Sequence, residues 1–406
     1  MRLEVEELGG SGRGVARSDG RVVFVAGALP GELVEAEVER ERAGIVEARV
    51  VAVVRGSPWR EPEPCPASAR CGGCDLAHVR VGATGEALRA VVVGALRHAP
   101  PTLAGAAAAA PVVVSPPHWR LRARLRWNPA AGRLGFLASR SHDVVAIDPC
   151  RVISVALRDA LPDLARWLAA ARLPAGELLW LETLEASRAV AGWLGAGRPP
   201  VATIGALAGC HRLGRDGESL GGWGDDGVTI DLPRPLGVPV GAFFQGNRHL
   251  VPRLFERVAA LAAAGDLRRA VDLYGGVGLL AAAARHGGCD DVVVVEAQAI
   301  AAEAARRNLP DATVHSASAE RFLAAPGPAA GTLAIVDPPR RGLSAAARRG
   351  LLDWGPTAVL LLSCDAARFG RDAGALLGAG YRLELLEVWD LFGGTHHAEI
   401  LATFRR

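Results

Sequence analysis

From Phe243 to the end of the chain, short apolar runs alternate with stretches of helical rhythm: Ala270 to Leu273, Val292 to Val295, Leu333 to Val336, Val359 to Leu362 and Leu383 to Val388. Continuous apolar runs of that length suit strands covered on both faces, and the spacers between them are long enough for crossover helices. A doubly wound sheet built this way places ligands beyond the carboxyl ends of its strands, so the chemistry is expected there. The first strand runs into Asp272-Leu-Tyr-Gly-Gly-Val-Gly278, where Gly275, Gly276 and Gly278 let a ligand approach the backbone. The second strand ends in Glu296, about twenty residues on, where a carboxylate can accept both hydroxyls of a ribose. Glycine turn, strand and terminal acid together read as a nucleotide site.

The turn departs from the G-x-G-x-x-G spacing of dinucleotide sites. With Asp272 ahead of it, it better fits the loop that S-adenosylmethionine enzymes wrap around the amino-acid end of their cofactor. The expected fold class is therefore α/β, a class I S-adenosylmethionine methyltransferase (Rossmann-like) domain. Two further strands end in reactive groups. Asp337 heads a rigid Asp-Pro-Pro-Arg turn at a strand end, and Cys364 follows the strand Ala358 to Ser363. Glu399 lies in Thr395-His-His-Ala-Glu-Ile400, where period-two alternation sets His397 and Glu399 on one strand face. A thiol, a carboxylate and a methyl donor suggest one reaction. Carbon 5 of uracil is a poor nucleophile until a thiolate adds to carbon 6, after which carbon 5 can attack the sulfonium methyl and a base removes its proton. Cys364 and Glu399 fit the nucleophile and the base. A 5-methylcytosine enzyme of the usual kind carries a second cysteine near the Pro-Pro turn; none is present, so uracil is favoured.

At 406 residues the chain is long enough for two or three domains. No apolar run approaches the roughly 18 residues of a membrane span, and the charged first residues do not read as an export signal. The expectation is a soluble protein. Charge is nearly balanced at +3, with every basic side chain an arginine, so any nucleic-acid surface must be local. One candidate is Arg120, Arg122, Arg124 and Arg126. On a strand their guanidiniums would share a face about 6.6 Å apart, a phosphate-tracking stripe, with a solvated salt-bridged face as the alternative. The first fifty-odd residues, short strands broken by Gly9-Gly-Ser-Gly-Arg-Gly14, suggest a small closed barrel, and Pro58, Pro62, Pro64 and Pro66 mark its boundary. A helix over Glu86 to Arg97 is followed by an Ala/Pro-rich linker, Pro100 to Pro111. Seven cysteines, an odd count, point to reduced thiols. The spacing of Cys65, Cys71, Cys74 and Cys150 permits either zinc or an iron–sulfur cluster.

Taken in order, these motifs resemble the bacterial RNA uridine carbon-5 methyltransferases, and most of all the 23S ribosomal RNA members that carry an iron–sulfur cluster. Gly-Arg-Gly-Val-Ala-Arg17 is similar to the TRAM module, an OB-like RNA-binding β-barrel. Phe243-Phe-Gln-Gly-Asn247, the glycine turn, Asp-Pro-Pro-Arg340, Ser363-Cys-Asp365 and Phe392-Gly-Gly-Thr-His-His-Ala-Glu399 follow in the family's order. The resemblance implies a TRAM barrel over 1–56, a central mixed α+β iron–sulfur and RNA-binding domain over 57–240, and a catalytic domain over 241–406. It implies Cys364 as nucleophile, Glu399 as base, and Gln245, Tyr274, Gly276, Gly278, Glu296, Ser318 and Asp337 at the cofactor. Ser318 and Leu279 stand where the family usually has asparagine, and Gly393-Gly394 replaces a proline-containing pair. The resemblance further implies that Cys65, Cys71, Cys74 and Cys150 hold a four-iron four-sulfur cluster. It implies a cytoplasmic monomer whose partner is RNA, 23S ribosomal RNA foremost with the target uridine flipped out, and neither DNA nor membrane. The motifs do not encode which RNA is read, so the same reaction on transfer RNA and a catalytically silent RNA-binding protein stand as rivals.

Overall fold

The computed structural model describes residues 1–42, 44–62, 65–139, 141–147, 150–264 and 267–406. Strands Arg2–Glu4, Glu7–Leu8, Gly14–Ser18, Arg21–Ala26, Leu33–Arg42 and Ile45–Arg55 form one six-stranded sheet. Its two outermost strands are Arg2–Glu4, paired with Leu33–Arg42, and Glu7–Leu8, paired with Gly14–Ser18. Those outermost strands belong to one continuous stretch of chain, so the sheet closes on itself and keeps no open edge. Leu3, Val5, Val23, Val25, Val34 and Val46 fill the interior.

A seven-stranded sheet follows, in the order Val144–Val145, Arg133–Leu137, Arg122–Asn128, Gly176–Glu182, Ala189–Leu194, Leu207–Leu213, Ser219–Gly224. Helix Val155–Ala170 covers one face of it. Ser154 caps that helix, its Oγ accepting from the Leu157 N–H at 3.0 Å. Leu157, Leu161, Leu164 and Leu168 then share one helix face and pack with Trp127, Trp180 and Trp193 of the sheet.

The C-terminal sheet contains β1 (Arg269–Leu273), β2 (Asp291–Glu296), β3 (Thr313–Ser316), β4 (Thr332–Val336), β5 (Ala358–Ser363), β6 (Arg382–Trp389) and β7 (Glu399–Arg405). Their order is β3-β2-β1-β4-β5-β7-β6, with β1 to β5 parallel and β7 antiparallel to both neighbours. An eighth strand, Val112–Val113, arrives from mid-chain and pairs with β6. The strand order reverses between β1 and β4, which opens a crevice at their carboxyl ends.

Two sequence expectations change. The stretch from Pro100 to Pro111 is not a linker but contains helix Pro101–Ala109, with Leu103 and Ala107 fully buried. Pro101 takes the first helical position, where a missing N–H costs nothing. That helix and Thr84–Leu96 share a core with the C-terminal sheet, so residues 84–110 contribute to it although they lie ahead of residue 241 in the chain. Among the described residues, no helix is long and apolar enough to cross a membrane.

Candidate active site

The carboxyl ends of β1, β2, β4 and β5 open onto a cleft of about 450 Å³. Gln245, Tyr274, Gly276, Glu296, Asp337, Cys364 and Glu399 all line it. Two residues nominated from sequence do not. Gly278 turns the chain into helix Leu279–His286 with a φ of +93°, and a Cβ there would stand 3.0 Å from Leu309. Ser318 caps the short helix Ala319–Phe322, accepting from the Arg321 N–H at 3.3 Å, and lies outside the cleft.

The cofactor end of the cleft is held by backbone donors. Glu296 Oε2 accepts from the Gly276 N–H at 2.9 Å and Oε1 from the Gln298 N–H at 2.6 Å. Each oxygen keeps a free lone pair, so the carboxylate is fixed yet can still accept two hydroxyls. Asp272 is fully buried, and one oxygen accepts from the Ala281 N–H at 3.0 Å, pinning the helix start to β1. Between them Tyr274 adopts a left-handed φ of +65°, a strained conformation for a bulky side chain.

At the reacting end, acids crowd together. Burial raises Asp337 to about 6 even though Gln245 Nε2 donates to it at 3.1 Å. Burial and then the charge of Asp337 push both Asp272 and Glu399 well above the ordinary carboxylate range. Burial pushes Cys364 up to about 12, with Glu399 and Asp337 adding to it and Arg340 opposing. Asp272 Oδ1, Gln245 Oε1 and Glu399 Oε1 are buried without a partner among the described residues. A pocket this rich in acids and orphaned acceptors suits an occupant that brings positive charge and hydrogen-bond donors. S-adenosylmethionine, with its sulfonium, amino and hydroxyl groups, meets that requirement. Glu399 opens β7, whereas His397 precedes that strand, so the two do not share a strand face as the alternation suggests.

Some cleft residues carry little sequence signal. Phe244 is buried at 3 % exposure while its neighbour Phe243 is 56 % exposed at the cleft wall, with the Arg122 guanidinium 5.9 Å from its ring centre. The paired aromatics of Phe243-Phe-Gln were the available hint. Phe392 and Arg340 join them in the wall.

The four cysteines implicated in a cluster line a single separate cavity of about 150 Å³. Arg120 lines it too, its guanidinium 4.8 Å from the Trp119 ring and 5.4 Å from that of Phe136. Among the described residues, no three His, Cys, Asp or Glu side chains stand close enough to share a metal ion. Gly394, beside the base loop, approaches this wall so closely that a Cβ on it would stand 3.3 Å from Cys74 Sγ.

The arginine stripe is broken. Arg122, Arg124 and Arg126 do project from one face of strand Arg122–Asn128 and line one groove, joined there by Arg215. Arg124 and Arg126, however, both form ion pairs with Glu177. Arg120 precedes the strand and lines the cysteine cavity, so it does not continue the row.

A TRAM domain profile matches residues 1–51. The 23S rRNA (uracil(1939)-C(5))-methyltransferase RlmD of Pseudomonas putida is 32 % identical over 445 residues, covering all of this chain and 93 % of that protein. The protein of the same name from Pseudomonas aeruginosa PAO1 is 33 % identical, covering 100 % and 94 %. The chain belongs to the uracil carbon-5 RNA methyltransferases. A solved structure agrees in fold: the Pyrococcus abyssi tRNA (uracil-54, C5)-methyltransferase with S-adenosyl-L-homocysteine superposes with a TM-score of 0.77 over all of both chains, at 22 % identity. The fold of this family member is thus an S-adenosylmethionine methyltransferase domain preceded by a TRAM barrel.

Proposed function

We propose that this methyltransferase converts a uridine of 23S ribosomal RNA to 5-methyluridine. The observation that carries this reading is the meeting of Cys364, Glu399 and the cofactor-binding turn in one cleft, together with the full-length relatives named for that reaction. S-adenosylmethionine supplies the methyl group as an electrophile. Cys364 gives up its thiol proton to solvent, its sulfur adds as thiolate to carbon 6 of the flipped uracil, and the ring becomes an enolate whose carbon 5 takes the methyl. Glu399 removes the proton from carbon 5, and the electron pair left behind expels the Cys364 sulfur as thiolate, restoring the ring. Gln245 holds Asp337 in place, and Arg340 lowers the cost of the thiolate. Arg122, Arg124, Arg126 and Arg215 give the RNA backbone a positive groove, weakened by Glu177.

We propose further that Cys65, Cys71, Cys74 and Cys150, which line the second cavity, would hold a four-iron four-sulfur cluster. All its donors are soft sulfurs, they surround a common space without converging on one ion, and a neighbouring guanidinium can offset a negatively charged cluster. The cluster would fix the loop that abuts the base. A cytoplasmic monomer acting on RNA alone completes the proposal.

Uridine methylation is mapped in ribosomal and transfer RNA from cells with and without the gene, with the 23S change expected. Cys364→Ala is expected to abolish turnover, while Glu399→Gln accumulates a covalent RNA–protein adduct. Normal turnover by either variant refutes the assigned chemistry, and a change confined to transfer RNA refutes the substrate.

A further inference from the structure

Between the cofactor cleft and the cysteine cavity lies a third, mostly polar cavity of about 200 Å³. It shares Arg340 and Phe392 with the first, and Gly73, Arg120 and Thr395 with the second. Among the described residues, no side-chain hydrogen bond or ion pair engages the Arg340 guanidinium, whereas that of Arg120 lies over Trp119 and Phe136 and faces the cysteines. Arg340 nevertheless lies close enough to both Cys364 and His397 to shift them electrostatically. The one carboxylate in the wall, Asp75, is already committed: it accepts from the His396 N–H at 2.9 Å and pairs with the His396 ring. His397 makes ring contacts with His396 and Phe392, and burial, followed by its cationic neighbours, lowers it to about 4, so it offers a neutral N–H. Arg340 is exposed at the rim of this space and no carboxylate engages its guanidinium among the described residues, so it is available to pair with an anionic ligand.

We propose that this cavity is a subsite for the phosphodiester immediately beside the target uridine, with Arg340 as its principal donor. The inference rests on the RNA-methylating reading above. A uracil facing Cys364 carries its backbone out of the cofactor cleft, and the wall common to both spaces is where Arg340 stands. Arginine binds phosphate oxygens in a two-pronged geometry that lysine cannot copy. Through Thr395 and His397 the bound phosphate would also steady the loop that carries Glu399.

The test uses the whole protein with S-adenosylhomocysteine bound and an RNA fragment containing the mapped uridine. Each of the two flanking phosphates is replaced in turn by an uncharged methylphosphonate. One replacement is expected to weaken wild-type binding about tenfold, the loss of a charge-assisted hydrogen bond, and to leave Arg340→Gln binding unchanged. Arg340→Lys should retain part of the sensitivity. The salt dependence of Arg340→Gln binding should be shallower by about 0.7 in log–log slope, one single-strand phosphate contact. Insensitivity of the wild type at both positions, or an equal further loss in Arg340→Gln, overturns the subsite. Methylation of the unmodified fragment is scored in parallel: if it fails, the parent reading fails and the subsite with it. If it succeeds without coupling between Arg340 and a phosphate, the subsite alone is wrong.

Discussion

Asp337 is half-buried beside Asp272 and Glu399, and its carboxyl is raised from 3.8 to about 6 chiefly by removal from solvent. A carboxyl raised in the folded state costs nothing below the unfolded value, where both states hold the proton. As pH climbs from about 4 through 6 the unfolded chain ionises first, so stability falls, and above 6 the loss is constant. Asp337→Asn removes that titration while keeping an acceptor for Gln245. It is expected to stabilise the protein by roughly 1–3 kcal/mol at pH 8 and by almost nothing at pH 4, while binding of S-adenosylmethionine weakens. Urea unfolding at the two pH values measures this. An equal gain at both would show that charge burial is not the cause.

Helix Pro101–Ala109 is the element that the sequence conceals. Its composition, PTLAGAAAA, has almost no amphipathic contrast, and flanking prolines mimic a linker; only packing reveals that Leu103 is fully buried among residues of the C-terminal core. Leu103→Ala is therefore expected to cost about 2–4 kcal/mol, as a core truncation does, where a linker position would cost less than about 0.5 kcal/mol. Denaturant midpoints distinguish the two. The strands of the C-terminal sheet were legible because each is a continuous apolar run, and the glycine turn because its conformation excludes most side chains: Gly276 and Gly278 both have positive φ. Cys364, Glu296 and Asp337 could be placed together because a parallel sheet delivers the ends of its strands to one edge, and Glu399 joins them because it opens the antiparallel β7 at that same edge. What depends on strand pairing between distant stretches of chain was not legible. Glu177 is fifty residues beyond the arginines it neutralises, and Arg120 leaves the row because its strand begins only at Arg122.

All three parts of the molecule converge on the loop that precedes Glu399. From the cysteine segment, Asp75 holds His396, and the Leu76 N–H donates to the Gly394 carbonyl at 3.0 Å. From the barrel, Gly12 comes so close that a Cβ on it would lie 2.6 Å from His396 Cβ. The barrel therefore buttresses the loop that precedes Glu399. Gly12→Val tests this, since the new side chain must push the loop. Its φ of +72° also strains any β-branched residue, so Gly20→Val is the control: it has the same φ of +72° in the same barrel, but a Cβ there meets nothing within 4 Å. Misplacing a reacting group by about 1 Å costs up to about 100-fold, so Gly12→Val is expected to lower kcat by 10- to 100-fold. S-adenosylhomocysteine affinity should stay within about twofold, because none of the described barrel residues lines the cofactor cleft. Gly20→Val should lose a similar amount of stability and keep its kcat. Equal loss of kcat in both variants would assign the effect to barrel strain and leave the buttress without support, whereas loss in Gly12→Val alone, with faster amide exchange at residues 393–398, ties the barrel to the base.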